Sequence, residues 1–215
     1  MLKTFSALCA FAAVFTTLGA PAVQATPASE AFIQQNLDKA NIILTAASLS
    51  DAERHEQLRA LLFGLAASRR IGLFTLGPYA NGAARADLDA FVGAFTNYSI
   101  GIYENALDRY KGQALKVTGS SDRAYDDSLV RTEFVNPEPS NAQPIRLGFR
   151  VRRSENGAPT ITDIQVEGVS FASAQRADFT AYLQQHNGSI PDLVRNLTTL
   201  SEKLARKGNT LSAGN

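Results

Sequence analysis

The spacing of apolar residues changes twice along this chain, and that change limits the available folds more than any other feature. Between residues 32 and 107, apolar side chains such as Phe91 and Phe95 recur every three or four positions, which predicts amphipathic helices. Between residues 115 and 166 they alternate with polar neighbours, which predicts an antiparallel sheet with one dry face. The helical spacing returns after Gly168. We therefore predict one α+β domain.

Short local motifs predict where several elements begin and end. Ser50 and Glu53 have the spacing of a capping box, which predicts the start of a helix. Gly77-Pro78 predicts the end of a short helix, and Asn156-Gly157 predicts a hairpin turn between two strands. Asn187-Gly188 is expected to separate two helices in the C-terminal part of the chain.

The first 25 residues have the three-part plan of a secretory signal peptide. Lys3 gives a positive start, an apolar run follows at residues 5–18, and small residues precede a cleavage position after Ala25. The run is shorter than the roughly 20 residues that a membrane-spanning helix needs. We predict a signal peptide at 1–25, a single domain at 26–207, a disordered tail at 208–215, and a periplasmic location.

Removal of the signal peptide changes the composition of the mature chain. Cys9 is the only cysteine, so the mature protein is expected to form no disulfide. Lys3 also leaves, so that 20 basic residues face 20 acidic residues and the net charge is zero. A neutral protein has no overall attraction to nucleic acid or to an anionic membrane. We expect a soluble protein without a nucleic-acid partner.

The residue types of catalytic and metal sites are scarce and poorly spaced. His55 lies on a polar helix face and His186 lies near a predicted helix end. Ser170, Asp163 and His186 could form a triad, but Ser170 lacks the Gly-x-Ser-x-Gly setting of a hydrolase nucleophile, so helix capping is the better interpretation. No histidine pair has metal-ligand spacing. We predict no enzyme, no cofactor and no metal.

The clearest strand carries four arginines, at Arg146, Arg150, Arg152 and Arg153. Two interpretations are open. The arginines form the solvated face of an antiparallel sheet, or they form a basic surface for a partner protein or for a phosphate headgroup at the mouth of a cavity.

The segment from residue 146 to residue 183 resembles the MlaC family, also known as toluene-tolerance proteins. The resemblance is carried by the basic strand Arg146–Arg153, the Asn156-Gly157 turn, the strand Asp163-Ile-Gln-Val-Glu-Gly-Val-Ser170, and Gln175-Arg176-Ala-Asp-Phe179. The order of helices, the signal peptide and the length agree with the family as well.

This resemblance implies helices packed on a twisted antiparallel sheet of about four to five strands, NTF2-like in outline, around an apolar cavity. It implies a monomeric carrier that takes phospholipid acyl chains and shuttles lipid between two transport complexes, with transient contacts only. One complex contains an outer-membrane lipoprotein, and the other is an inner-membrane ABC transporter with an MCE-domain subunit. Two alternatives stay open: a carrier of hopanoid-related lipid, and a periplasmic adaptor with a filled core.

Lipid transfer requires an apolar lining, because exposing acyl chains to water costs about 0.8 kcal/mol per methylene. Alternation and resemblance together predict that the dry face of the sheet and the helices opposite it form this lining. The predicted residues are Phe74, Leu76, Tyr79, Phe95, Tyr98 and Tyr103 on the helices, and Phe134, Leu147, Phe149, Val151, Ile164 and Val166 on the sheet.

Overall fold

A computed structural model describes residues 27–107, 114–135 and 146–212, so the predicted signal peptide lies outside the described residues. The helices are α1 (Pro27–Thr45), α2 (Asp51–Leu65), α3 (Ser68–Leu76), α4 (Arg85–Leu107), α5 (Phe171–Gln185) and α6 (Ile190–Ser212), and a 3₁₀ turn (Gly77–Ala80) follows α3. The strands are β1 (Ala114–Ala124), β2 (Asp127–Val135), β3 (Arg146–Arg153), β4 (Pro159–Val166) and β5 (Val169–Ser170). In these parts of the chain, no helix has the length and apolar character to cross a membrane.

The local motifs act at the predicted boundaries. The Glu53 N–H donates to Ser50 Oγ at 3.3 Å and the Ser50 N–H donates to Glu53 Oε2 at 2.9 Å, which completes the capping box of α2. Asn187 and Gly188 have φ angles of 52° and 72° and separate α5 from α6. Helix α6 continues to Ser212, five residues beyond the predicted end of the domain at 207. One glycine in a helix, Gly208 here, costs only about 1 kcal/mol.

The five strands form one antiparallel sheet in sequence order, from β1 to β5. Val130 of β2 pairs with Phe149 of β3, which pairs with Ile164 of β4, so these three side chains lie on one face. We call this the apolar face. The α+β fold and the number of strands agree with the prediction, which did not resolve the two-residue strand β5 separately.

A β-bulge in β4 corrects the predicted alternation. Strict alternation places Thr162 on the same face as Ile164. In the structure the pairing passes from Asp163–Arg150 to Ile161–Val151, so Thr162 is the extra residue. Ile161 therefore joins the apolar face, where it is 4% exposed.

The buried apolar side chains form two clusters. The first cluster lies among α3, α4, α5 and α6, and Phe179 packs edge-on against both Phe91 and Phe95, with ring centroids 5.9 and 6.3 Å apart. The second cluster lies between α1 and the apolar face and includes Ile33, Val130, Phe149, Val151 and Ile161.

Polar contacts join the helical segments to strands β1 and β4 of the sheet. Gln34 of α1 accepts a hydrogen bond from the Val117 N–H of β1 at 3.3 Å. The link between α2 and α3 runs along β4, where the Ala67 N–H donates to the Ile161 carbonyl at 2.9 Å. The link between α2 and α3 therefore lies along the part of the β4 edge that β5 does not cover.

Candidate functional site

Four of the predicted sheet residues come together on the apolar face. Phe149 and Val151 belong to the second cluster and are 6% and 2% exposed. Leu147 and Ile164 are half-buried and pack against the same cluster. The apolar residues of β3 thus share one face of the sheet, as their alternation with polar residues predicts.

Four of the predicted helix residues belong to the first cluster instead. Leu76 and Phe95 are buried in it, and Tyr79 and Tyr98 pack against it while keeping part of their surface exposed. The predicted lining is therefore divided between two clusters of side chains.

The remaining four predicted residues, Phe74, Tyr103, Phe134 and Val166, belong to neither cluster. Phe74 and Val166 are 43% and 48% exposed, whereas Tyr103 and Phe134 are half-buried. Burial raises the pKa of the Tyr103 phenol far above its ordinary value, and the nearby Glu104 carboxylate raises it further. The Tyr103 phenol therefore stays neutral at physiological pH.

An exposed apolar row extends the second cluster toward the edge of the sheet. Val166 pairs with Leu147 on one side and with Val169 on the other, so that all three side chains share the apolar face. We call these three residues the apolar row. Leu147 is half-buried, while Val166 and Val169 are 48% and 65% exposed. The row leaves an apolar surface open beside the buried cluster.

Val169 was missed by the sequence prediction, although a signal for it exists. Glu167 and Gly168 have φ angles of 50° and 80° and form a two-residue turn between β4 and β5. Such a turn pairs the residues on either side of it. Reading the Glu-Gly pair as a hairpin turn would have placed Val169 opposite Val166.

Two clefts in the described part of the protein include predicted lining residues. A cleft of about 70 Å³ lies beside the turn between β1 and β2, and Val151 contributes to its wall. A more open cleft of about 410 Å³ lies between the 3₁₀ turn and the start of α6, and Tyr79 contributes to it. Each cleft holds one of the twelve predicted lining residues. A single cavity lined by all twelve stays a prediction.

Three arginines of β3, namely Arg146, Arg150 and Arg152, lie on the face opposite the apolar one and contact carboxylates, whereas Arg153 donates a hydrogen bond to the Gly157 carbonyl at 3.3 Å. Arg150 Nε donates to Asp127 Oδ1 at 2.8 Å, and its Nη2 contacts the second carboxylate oxygen. This hydrogen bond holds the pKa of the Asp127 carboxyl below its ordinary value, although burial acts in the other direction. Arg152 lies 3.5 Å from Asp126, and Arg146 lies 3.3 Å from Glu167. This pairing favours the solvated-face interpretation of the strand.

The three residues of the conceivable triad occupy the two ends of α5. Ser170 Oγ accepts the Ser173 N–H at 3.0 Å and Asp163 Oδ1 accepts the Ala172 N–H at 3.0 Å, so both cap the first turn. His186 is the C-cap, beyond the 15 residues of α5 and hence roughly 20 Å from Ser170 along the helix axis. That separation excludes a triad. In the same described ranges, no group of three or more metal-ligating side chains is placed to hold an ion.

Comparison with known proteins agrees with this architecture. The family model described as MlaC protein matches residues 34–199. One similar solved structure is a phospholipid-binding protein from Ralstonia solanacearum in complex with a phospholipid. It superposes with a TM-score of 0.68 at 22% sequence identity, over 82% of this chain and 98% of that chain. The structural likeness shows a shared fold, and the family match covers most of the sequence. The chain belongs to the MlaC family.

Proposed function

We propose that this protein is a periplasmic carrier that binds the acyl chains of a phospholipid against the apolar face of its sheet. Membership of the MlaC family supports the carrier role, and the similar protein from Ralstonia solanacearum holds a phospholipid on the same fold. The twelve predicted residues, extended by Val169, are the proposed lining. The signal segment at 1–25 is the proposed means of export.

The observation that carries this proposal is the apolar row. Val166 and Val169 expose about half or more of their surface beside a buried cluster of the same face. Burial of apolar surface contributes roughly 25 cal/mol per Å², so an acyl chain laid along the row would be stabilised there. Transferring two acyl chains through water would cost on the order of 20 kcal/mol, and a continuous apolar surface removes most of that cost.

The carrier role needs no covalent step. Binding and release exchange one apolar environment for another. Ser170 lies too far from His186 to be activated by it as a base. The proposed route runs between an outer-membrane lipoprotein complex and an inner-membrane ABC transporter with an MCE-domain subunit. A neutral mature chain suits this route, because it carries no net charge that would retain it at an anionic membrane.

Val166→Asp tests the proposal. The carboxylate would place a charge on the apolar row, so we expect the purified variant to carry much less phospholipid than the wild type. Because Val166 is 48% exposed, the variant should fold normally. Tyr125→Asp is the matched control, since Tyr125 is 96% exposed in the turn at the opposite end of the sheet. Organic extraction followed by mass spectrometry measures the lipid, and circular dichroism checks folding.

The same measurement separates the alternatives. Wild-type protein that is free of lipid after expression in a bacterial periplasm would overturn the proposal in favour of an adaptor with a filled core. Equal lipid content in folded Val166→Asp and wild type would overturn the placement of the acyl chains. A hopanoid in the extract, in place of phospholipid, would assign the protein to the hopanoid-related alternative.

A further inference from the structure

Arg176 of α5 lies over the ring of Phe74 of α3. Its guanidinium carbon is 5.0 Å from the ring centroid, within the range of a cation–π contact. Phe74 is 43% exposed, so the ring supports the guanidinium at the protein surface. The pair therefore presents an apolar surface and a positive charge side by side.

Gly77 makes this arrangement possible. It has a φ angle of +57°, and a Cβ atom built on it would lie 3.0 Å from Arg176 Nε and 3.4 Å from Nη2. The backbone at the end of α3 therefore lies directly against the guanidinium. Contact with ring and backbone restricts the rotamers of Arg176, which lowers the entropic cost of binding a ligand.

The positive charge of Arg176 is not neutralised by the part of the protein described. Arg146, Arg150 and Arg152 each lie within 4.0 Å of a carboxylate. In residues 27–107, 114–135 and 146–212, no carboxylate forms such a pair with Arg176. The arginines of β3 therefore have partners, whereas the guanidinium on Phe74 remains available.

Arg70 adds a second positive charge to the same surface. It lies four residues before Phe74 in α3, and this spacing puts both side chains on one face of the helix. Arg70 is exposed and likewise forms no ion pair with a described carboxylate. Arg70 therefore places a second positive charge on the same face of α3 as the exposed ring that contacts Arg176.

We propose that Arg176 and Arg70 bind a phosphate group beside Phe74, and that this phosphate is the headgroup phosphate of the carried lipid. The inference rests on the proposed function. Guanidinium groups donate paired hydrogen bonds to phosphate oxygens, and the ring suits the first carbons of the glycerol and acyl chains. A surface position fits the ligand, because a phosphate buried without a paired cation is strongly disfavoured.

The test compares two lipids that differ in the phosphate. Delipidated protein is titrated with dioleoyl phosphatidylglycerol and with dioleoylglycerol, and binding is followed by displacement of a fluorescent fatty acid. Arg176→Gln should weaken phosphatidylglycerol binding about tenfold while dioleoylglycerol binding stays unchanged. Arg176→Lys should restore only part of the loss, because an ammonium group cannot form the paired contact. Arg206→Gln, which removes an exposed charge near the end of α6, should leave both affinities unchanged.

Several results would overturn the inference while leaving the carrier function intact. If Arg176→Gln weakens the binding of both lipids equally, Arg176 acts through packing and not through the phosphate. If the variant binds both lipids as the wild type does, Arg176 does not belong to the site. Saturation of the wild type by micromolar inorganic phosphate would assign the site to free phosphate instead of a headgroup. By contrast, failure of the wild type to bind either lipid would contradict the proposed function itself.

Discussion

At the scale of single residues, the contact between α4 and α6 depends on the absence of a side chain at Gly101. A Cβ atom at this position would lie 3.0 Å from Leu204 Cβ and 3.1 Å from Leu204 Cδ1. These distances are shorter than ordinary van der Waals contacts, so either helix would have to move. Gly93, on the same helix, has no atom within 4 Å of its corresponding Cβ position.

We therefore predict opposite effects of substitution at the two glycines. Gly101→Val should lower the free energy of unfolding by about 1–3 kcal/mol, because overpacking exceeds any gain in helix propensity. Gly93→Ala should raise it by about 0.5–1 kcal/mol, because alanine favours the helix and meets nothing. Urea unfolding monitored by circular dichroism measures both. A Gly101→Val protein as stable as the wild type would show that α4 and α6 do not pack closely there.

At the scale of elements, an ion pair links β2 to β3 on the face opposite the apolar one. Asp127 has a side chain that is 7% exposed and is bound by Arg150, whose own side chain is 31% exposed. The hydrogen bond from Arg150 lowers the pKa of Asp127. A carboxyl group whose pKa is lower in the folded state stabilises that state at pH values above its ordinary pKa, which is near 3.9. This stabilisation is lost as the pH falls through the lowered pKa.

Asp127→Asn should therefore lower the free energy of unfolding at pH 7 by about 1–3 kcal/mol. The difference in the free energy of unfolding between variant and wild type should narrow as the pH falls from 5 toward 2. Protonation of Asp127 destabilises the wild type, whereas the variant has no carboxyl group there to protonate. Urea unfolding across this pH range measures the difference. Asp89→Asn is the control, since Asp89 pairs with Arg69 at a half-exposed position and should cost under about 1 kcal/mol. A difference that stays constant with pH would contradict the role assigned to Arg150.

The elements were largely predictable from sequence because their signals are local. The capping box at Ser50 and the alternation of β3 each depend on residues close together in the chain. The bulge at Thr162 could not be predicted in this way. It is coupled to contacts between distant residues, since Ile161 accepts a hydrogen bond from Ala67 and Asp163 accepts one from Ala172 of α5. Periodicity contains no information about such contacts.

The candidate site was less predictable than the fold for the same reason. Alternation identified the apolar side of β3, but it could not show that Phe95 and Phe149 belong to different clusters. The sequence likewise predicted Phe74 as a lining residue without showing that its ring stays exposed under Arg176. Which apolar side chains pack together and which remain open is decided by tertiary packing.

At the scale of the whole molecule, the core is divided into two clusters, and we expect bound lipid to stabilise the folded protein through the second of them. The first cluster joins four helices, and the second joins α1 to the sheet. An acyl chain along the apolar row would add contacts to the open margin of the second cluster. A ligand that binds only the folded state stabilises it by about 2.7 kcal/mol when its free concentration is 100 times Kd.

We predict that removing the lipid lowers the thermal midpoint by roughly 5–10 °C, since 1 kcal/mol corresponds to about 2–4 °C in a domain of this size. Differential scanning calorimetry of lipid-loaded and delipidated protein measures the change, and adding phospholipid back should reverse it. The Val166→Asp variant should melt at one temperature with or without added lipid, whereas Tyr125→Asp should respond like the wild type. Identical midpoints for loaded and delipidated wild type would mean that the cargo makes no stabilising contact with the folded protein, which is incompatible with acyl chains covering Val166 and Val169.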